Sequence, residues 1–252
     1  MYPYLYRTPW FFIYSYTAVF TLGILIGMGL TARLNRTSQI VGWLDGWLVA
    51  MGAAVLGGRL GFVLLSLDYY QERPFDLGLW QGGLNYHAAL AAGFLALWGW
   101  CWWQKRPFLP TLNLFAPALA LITTFGWTAC WFEGCAYGAT TTLGPFAADL
   151  PDNFGVFAVR YQTQWISAGW SIVIFAVALW QWQRGNRQYL FAVTLFGLSL
   201  GHVGVSLLRG DPVPTIAAIR LDTLFDTLLI LFSLILLQYL QKTQQRNITS
   251  RQ

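Results

Sequence analysis

The chain has 252 residues, of which 56% are hydrophobic and only 10% are charged. A soluble domain carries about 25% charged residues, so this composition excludes a soluble globular protein and indicates an integral membrane protein. The net charge of +5 comes from basic residues scattered between apolar segments. Such scattering is typical of topology determinants and gives no indication of nucleic-acid binding.

Seven mostly apolar segments predict membrane-spanning helices, because a helix needs about 20 such residues to cross the bilayer. They cover residues 10–31, 40–66, 86–103, 111–132, 162–182, 188–208 and 221–241. The sequence contains no internal repeat. We therefore expect an all-α integral membrane protein in which residues 1–252 form a single bundle of about seven transmembrane helices.

The basic residues of the loops are distributed asymmetrically. One set of alternate loops, with the C-terminal tail, holds nine basic and no acidic residues: Arg33, Arg36, Lys105, Arg106, Arg184, Arg187, Lys242, Arg246 and Arg251. The opposite set holds five basic and seven acidic residues. The positive-inside rule places the first set in the cytoplasm. We therefore expect the N-terminus outside, the C-terminus in the cytoplasm and one long extracytoplasmic loop over residues 133–161.

Three ionisable residues from three predicted spans share one depth near the outer face. From the rise of about 1.5 Å per helical residue, Arg59, His202 and Asp226 each lie about 10 Å from the outer ends of their spans. Ionisable groups inside a membrane indicate function, and this spacing predicts a polar cavity open to the outside. The alternatives are an ion pair between Arg59 and Asp226 that holds the bundle together, and a packing role for His202.

A second histidine, His87, follows the glycine-containing stretch WQGGLNY, residues 80–86. Paired glycines let the backbone approach another group closely, and a histidine can accept a proton near neutral pH. His87 is therefore either a general base or a helix-start histidine that donates to a loop carbonyl.

The three cysteines give no recognisable metal or disulfide pattern. Cys130 and Cys135 are five positions apart, which matches no common metal-ligand spacing. We therefore expect no metal and no cofactor. Cys101, Cys130 and Cys135 are expected to be small buried hydrophobic residues, with a thiol in a functional site as the other possibility.

Several segments in chain order resemble the prolipoprotein diacylglyceryl transferase family. Five of them are SYTAVFTLGILIG (15–27), GGRLGFVLL (57–65), WQGGLNYHAALAAG (80–93), VRYQTQWISA (159–168) and VSLLRGDP (205–212). The resemblance places His87 on the essential histidine of the family and Tyr16 on a family tyrosine. Together the segments cover most of the chain.

The resemblance implies a multi-pass protein of the bacterial cytoplasmic (inner) membrane. Its expected activity is transfer of a diacylglyceryl group from phosphatidylglycerol to the lipobox cysteine thiol of a preprolipoprotein. Reacting-centre roles are implied for His87, Arg209 and His202, with His87 as base or thiol orienter. Lipid or substrate contacts are implied for Tyr16, Arg59, Gly82, Gly83, Tyr86, Glu133, Arg160 and Gln164. Arg59, Arg160 and Arg209 would hold the phosphate, since guanidinium groups bind phosphate through paired donors.

The stretch GWTACWFEGCAYG, residues 126–138, keeps the glycine frame of the family signature but changes its polar side chains. The signature arginine is Trp127, an asparagine is Cys130, and the glutamate is Cys135. A second family arginine, in the sixth span, is His202. These changes leave open a non-catalytic relative, which would be a phospholipid-binding protein or a structural subunit of a membrane complex with partner chains. A pigment- or haem-associated subunit that uses His87 or His202 is a third alternative.

Overall fold

The computed structural model describes residues 4–8, 12–78, 83–142, 144–152 and 154–249. Over this part of the chain, seven helices of 17 or more residues lie on the seven predicted segments. They are α1 (Ser15–Ser38), α2 (Trp43–Leu65), α4 (Tyr86–Trp103), α5 (Phe108–Glu133), α6 (Thr163–Gln183), α7 (Leu190–Ser206) and α8 (Leu221–Thr249). A short helix, α3 (Leu67–Glu72), and a 3-10 turn (Pro74–Leu77) follow α2.

Among the described residues, five helices are long and apolar enough to cross a membrane, namely α1, α2, α5, α6 and most of α8. Helix α7 is apolar but shorter. The protein is therefore a mostly helical, multi-pass membrane protein. The exact number of seven spans and their orientation stay predictions.

The described ranges contain three antiparallel hairpins that were not expected from the hydropathy pattern. β1 (Tyr4–Arg7) pairs with β2 (Phe12–Tyr14), β3 (Ala147–Pro151) with β4 (Phe157–Tyr161), and β5 (Thr215–Ile216) with β6 (Ile219–Arg220). Because β2 occupies residues 12–14, the first helix begins at Ser15 rather than at residue 10. The loop predicted over residues 133–161 contains the β3–β4 hairpin.

The described chain divides into two compact units. The smaller unit is Ala32–Leu112, and the larger unit combines Met1–Thr31 with Asn113–Gln252. In the smaller unit, α2 and α4 pack through small residues. A Cβ added at Gly57 would overlap Ala92, and one added at Gly61 would overlap Ala88. The two helices therefore approach each other nearly backbone to backbone.

In the larger unit, α7 runs antiparallel to both α6 and α8. The indole of Trp170 in α6 donates to the carbonyl of Gly197 in α7 over 2.8 Å, and Thr223 in α8 donates to the hydroxyl of Ser206 over 2.8 Å. The start of α7 is tied to α5, since the Phe191 amide donates to Asn113 Oδ1 over 2.9 Å. These bonds place the starts of α6 and α8 at the same end of the unit.

Candidate functional site

Arg59, in α2 of the smaller unit, is 5% exposed and donates to backbone carbonyls. Its Nη2 donates to Asp76 O over 2.5 Å, its Nε to Leu77 O over 3.2 Å, and its Nη1 to Gly83 O over 3.3 Å. The guanidinium also stacks over the Tyr70 ring at 5.3 Å. Carbonyl oxygens stabilise a buried cation through hydrogen bonds. Arg59 thus connects α2 to the 3-10 turn and to Gly83, in the loop that precedes α4.

His87 lies in the first turn of α4, directly after this loop. Gly83 has φ of +77°, where a side chain is strained, and an added Cβ would also overlap the Phe62 ring. Asn85 then caps the helix, because its Oδ1 accepts the amide of Ala88 over 2.9 Å. The Asn85 amide itself donates to the Gly58 carbonyl over 2.9 Å. The backbone next to His87 is therefore fixed twice, by the Asn85 cap on the helix and by the hydrogen bond from Asn85 to Gly58.

Tyr86 and Gly83 belong to the same segment as His87. The Tyr86 ring meets the His87 ring edge to face, with centroids 5.2 Å apart. The structure thus brings Arg59, Gly83, Tyr86 and His87 into one part of the smaller unit. Gly82 lies outside the described residues, and its predicted lipid contact stays a prediction.

In the larger unit, the side chains at the two positions where the resemblance implies arginines bond to each other. The Trp127 indole Nε1 donates to His202 Nε2 over 3.1 Å. His202 Nδ1 lies 3.5 Å from Oδ1 of Asp226, which is 2% exposed. Since Nε2 accepts, the proton of a neutral ring is on Nδ1, facing the carboxylate. A tryptophan–histidine hydrogen bond therefore lies where the resemblance implies two cations. A pair between Arg59 and Asp226 would join the two units and stays a prediction.

The Trp127–His202 hydrogen bond can be tested by a double-mutant cycle. Trp127→Phe keeps an aromatic ring but leaves the buried His202 acceptor without its donor, which is expected to cost about 1–3 kcal/mol of unfolding free energy. With His202→Leu as the second change, the combined loss is expected to be at least about 0.5 kcal/mol smaller than the sum of the single losses. The measurement is unfolding in detergent, with Trp131→Phe as the control. Additive losses would contradict the bond.

Arg209 lies in an ion-pair network at the end of α7. Its Nη2 donates to Asp211 Oδ2 over 2.5 Å and its Nη1 to Asp222 Oδ2 over 2.9 Å. Arg220 donates to the same two carboxylates at 3.3 and 3.1 Å. Burial would lower the pKa of Arg209, but the hydrogen bond and charge of Asp211, with Asp222, raise it above the ordinary value. The guanidinium is thus permanently charged and shared between two carboxylates.

Arg160, in β4, is 8% exposed and also has an acidic partner. Its Nη2 donates to Asp152 Oδ2 over 3.1 Å, and its guanidinium lies 5.0 Å from the Tyr137 ring centre. Hydrogen bonds from the amides of Val156 and Phe154, and the charge of Arg160, hold the pKa of Asp152 below its ordinary value. Arg160 therefore braces the β3–β4 hairpin in this structure.

The end of the signature stretch is held by the start of α6. Gln164 is fully buried, and its Nε2 donates to Cys135 O over 2.7 Å. Thr163 donates to Ala136 O over 2.6 Å. A disulfide joins Cys130 to Cys135, whose Cα atoms are 5.1 Å apart. The expectation that these two cysteines are buried thiols is therefore wrong, because the turn after α5 brings their side chains together. Cys101 is a buried thiol as expected.

Removing this disulfide is expected to destabilise the protein. Cys130→Ser combined with Cys135→Ser frees a short loop of the unfolded chain, which costs about 2 kcal/mol in the chain-entropy account. The measurement is the unfolding midpoint with and without dithiothreitol. The wild type is expected to lose stability on reduction, whereas the double variant is insensitive. An identical wild-type midpoint in both conditions would refute the disulfide.

Tyr16 and Glu133 lie where α1 begins and α5 ends. Tyr16 stacks on Phe20 at 5.9 Å, and the carboxylate of Glu133 is an electrostatic neighbour of its phenol. Within the described ranges, no cluster of three His, Cys, Asp or Glu side chains could hold a metal ion. The larger unit thus contains six of the proposed residues, namely Tyr16, Glu133, Arg160, Gln164, His202 and Arg209.

The sequence interpretation missed the acidic partners of the arginines. Arg209 and Arg220 each have an aspartate two residues later, in RGD and RLD, and these matching spacings were a signal for the network. No comparable signal links Trp127 to His202, which are 75 positions apart.

Comparisons with known proteins extend over nearly the whole chain. Residues 3–239 match the profile of the prolipoprotein diacylglyceryl transferase family. The phosphatidylglycerol–prolipoprotein diacylglyceryl transferase of Parasynechococcus marenigrum is 28% identical and covers 92% of this chain and 91% of its own. The enzyme of that name from Corynebacterium efficiens is 26% identical, covering 92% and 79%. That of Nitratidesulfovibrio vulgaris is 34% identical, covering 59% and 56%.

Proposed function

Because the chain belongs to the prolipoprotein diacylglyceryl transferase family, we propose that it transfers a diacylglyceryl group from phosphatidylglycerol to the thiol of a lipobox cysteine. The proposed location is the bacterial cytoplasmic membrane, with the N-terminus outside. Family membership alone does not determine the reaction, so the side chains of the site must also be able to carry it out.

The reaction breaks the bond between a glycerol carbon and its phosphate oxygen and forms a thioether bond from that carbon to sulfur. The thiol must lose its proton to become a good nucleophile, and the departing glycerol phosphate must be stabilised as an anion. The site therefore needs one base and at least one cation. We assign the base to His87, which takes the thiol proton.

The observation that carries this proposal is the placement of His87. It follows a glycine in a left-handed conformation, whose carbonyl is bound by Arg59, and an asparagine that caps the helix. A base must be held within hydrogen-bond reach of the proton it removes, and this backbone supplies such positioning. The segment is also the one that resembles the family's histidine motif.

Among the three arginines proposed to hold phosphate, we favour Arg59, because it lies in the same unit as His87 and donates to the carbonyl of Gly83, in the segment that leads to His87. Arg160 and Arg209 already bond to carboxylates, and a phosphate there would have to displace Asp152 or Asp211. We propose that Arg160 and Arg209 act mainly by supporting the surrounding loops.

The experiment is an assay of the purified full chain in lipid nanodiscs. Phosphatidylglycerol labelled in its diacylglyceryl group is supplied with a lipobox peptide, and the peptide is examined for a thioether adduct. The matched control peptide has serine in place of the lipobox cysteine. Adduct on the cysteine peptide alone supports the proposal. The absence of adduct with several anionic lipids would defeat it.

A second candidate function is favoured by the Trp127–His202 pair. The resemblance implies two cations at these positions, where a hydrogen bond from Trp127 to His202 and a contact from His202 to Asp226 lie instead. This arrangement suits a protein that binds phospholipid without catalysing a reaction on it. Such a relative could also be a structural subunit of a membrane complex. Purification in mild detergent distinguishes a subunit of a complex from a protein that acts alone. A subunit is expected to co-purify with partner chains, whereas a protein that acts alone is not.

A further inference from the structure

The β3–β4 hairpin lies directly against the start of a membrane span. Only Gln162 separates the last residue of β4, Tyr161, from Thr163, the first residue of α6. The other two hairpins also lead straight into helices, since β2 ends at the residue before α1 and β6 at the residue before α8. The β3–β4 hairpin has the longest ladder of the three, with five paired positions on each strand.

The two faces of this hairpin differ sharply. On one face, Arg160 is buried, ion-paired with Asp152 and stacked over Tyr137. The other face carries Phe157 and Val159, which are 65% and 49% exposed. Side chains alternate between the faces of a strand, so the exposed Asp149, which pairs with Val159, belongs to the outward face. That face is therefore apolar apart from one carboxylate.

The turn of the hairpin holds its apolar side chains outward. Asp152 Oδ1 accepts the amides of Phe154 and Val156 over 2.9 and 3.0 Å, and Gly155 adopts φ of +79°. Phe154 is 84% exposed at the tip. These hydrogen bonds fix the backbone of the turn in a conformation in which the phenyl ring of Phe154 projects away from the protein.

The apolar face continues into the surface of α6. A recess of about 230 Å³ connects the base of the hairpin to the first turn of the helix, and its lining is Pro145, Phe146, Gln162, Trp165 and Ile166. Farther along α6, Ile172 and Trp180 are 53% and 51% exposed. In a membrane-spanning helix such side chains contact lipid, so the exposed face of the hairpin adjoins a lipid-facing surface.

We propose that the exposed face of the β3–β4 hairpin lies in the interfacial layer of the bilayer where α6 begins, with Phe154 and Phe157 inserted among the lipids. Aromatic side chains favour this layer, and exposed apolar surface next to a span is covered by lipid without a partner protein. In this placement Asp149, which pairs with Val159, would lie at the level of the headgroups. The proposal goes beyond the transfer reaction and holds whether or not the protein is a catalyst.

Spin labelling tests this placement directly. Phe154→Cys, Phe157→Cys and the control Ala158→Cys, on the opposite face of the same strand, are labelled with a nitroxide in nanodiscs of phosphatidylethanolamine and phosphatidylglycerol. The native cysteines are expected to take up little nitroxide, since Cys130 and Cys135 form a disulfide and Cys101 is buried. Labelled wild type serves as the blank. A variant with an altered unfolding midpoint is replaced by Val156→Cys.

The readout is collision of each label with oxygen, which enters lipid, and with a charged nickel chelate, which does not. At positions 154 and 157 the oxygen rate is expected to exceed the nickel rate severalfold, whereas at position 158, on the face turned to the protein, both rates are expected to be low. A nickel rate at 154 and 157 that equals or exceeds the oxygen rate would overturn the proposal. If the labels at 154 and 157 become protected from the nickel chelate only after a lipobox peptide is added, the proposal is also overturned. The face would then be a peptide-binding surface.

Discussion

Replacing His87 with alanine is expected to lower kcat/KM for diacylglyceryl transfer by about 10²–10⁴-fold, the usual contribution of a positioned base. Without the imidazole the acceptor thiol loses its proton only to water, so the thiolate is scarce. The alanine fits the first turn of α4, whose cap is the Asn85 side chain. The measurement is transfer to the lipobox peptide at saturating lipid, together with the unfolding midpoint.

His87→Gln is the matched control for the role of this residue. Glutamine can hydrogen-bond to a thiol but cannot take its proton. A loss as large as that of the alanine variant assigns His87 as base, whereas substantial activity assigns it as thiol orienter. An unchanged kcat/KM in His87→Ala would remove this residue from the reaction altogether.

Arg209→Leu is expected to cost about 3 kcal/mol of unfolding free energy, at the low end of the range for breaking a buried ion pair. The low end applies because the Arg209 and Asp222 side chains are 17% and 13% exposed. The change removes donors from two carboxylates and leaves Asp211 and Asp222 to share Arg220. Two poorly compensated negative charges then remain close together.

The control for this prediction is Arg160→Leu, which breaks a single ion pair with Asp152 at a loop. We expect a smaller shift of the unfolding midpoint in the same detergent, because only one carboxylate loses its partner and Asp152 still accepts the amides of Phe154 and Val156. Equal shifts for the two variants would mean that the network around Arg209 contributes no more than an isolated pair.

The sequence predicted the helices well because a lipid environment leaves a spanning segment no alternative to internal hydrogen bonding. Helix α4 begins at Tyr86 and ends at Trp103, as the apolar run predicted. The first helix was placed too early, since hydropathy cannot distinguish the aromatic residues of β2 from those of α1. The short strands were missed for the same reason.

The candidate site was predicted only as separate residues. Hydropathy and spacing marked His202 and Asp226 as functional groups at one depth, and the structure does bring them together. They did not indicate that Trp127 would bond to His202, or that Cys130 would bond to Cys135. Such partners depend on how helix ends and turns meet in three dimensions, which local sequence does not encode.

The close approach of α2 and α4 makes the position of His87 sensitive to side-chain volume at two glycines. Gly57 and Gly61 have no space for one added methyl group, so a larger residue at either position would push the two helices apart. The Asn85 amide, two residues before His87, donates to the Gly58 carbonyl in the same contact. A change that touches no reacting atom would therefore displace the proposed base.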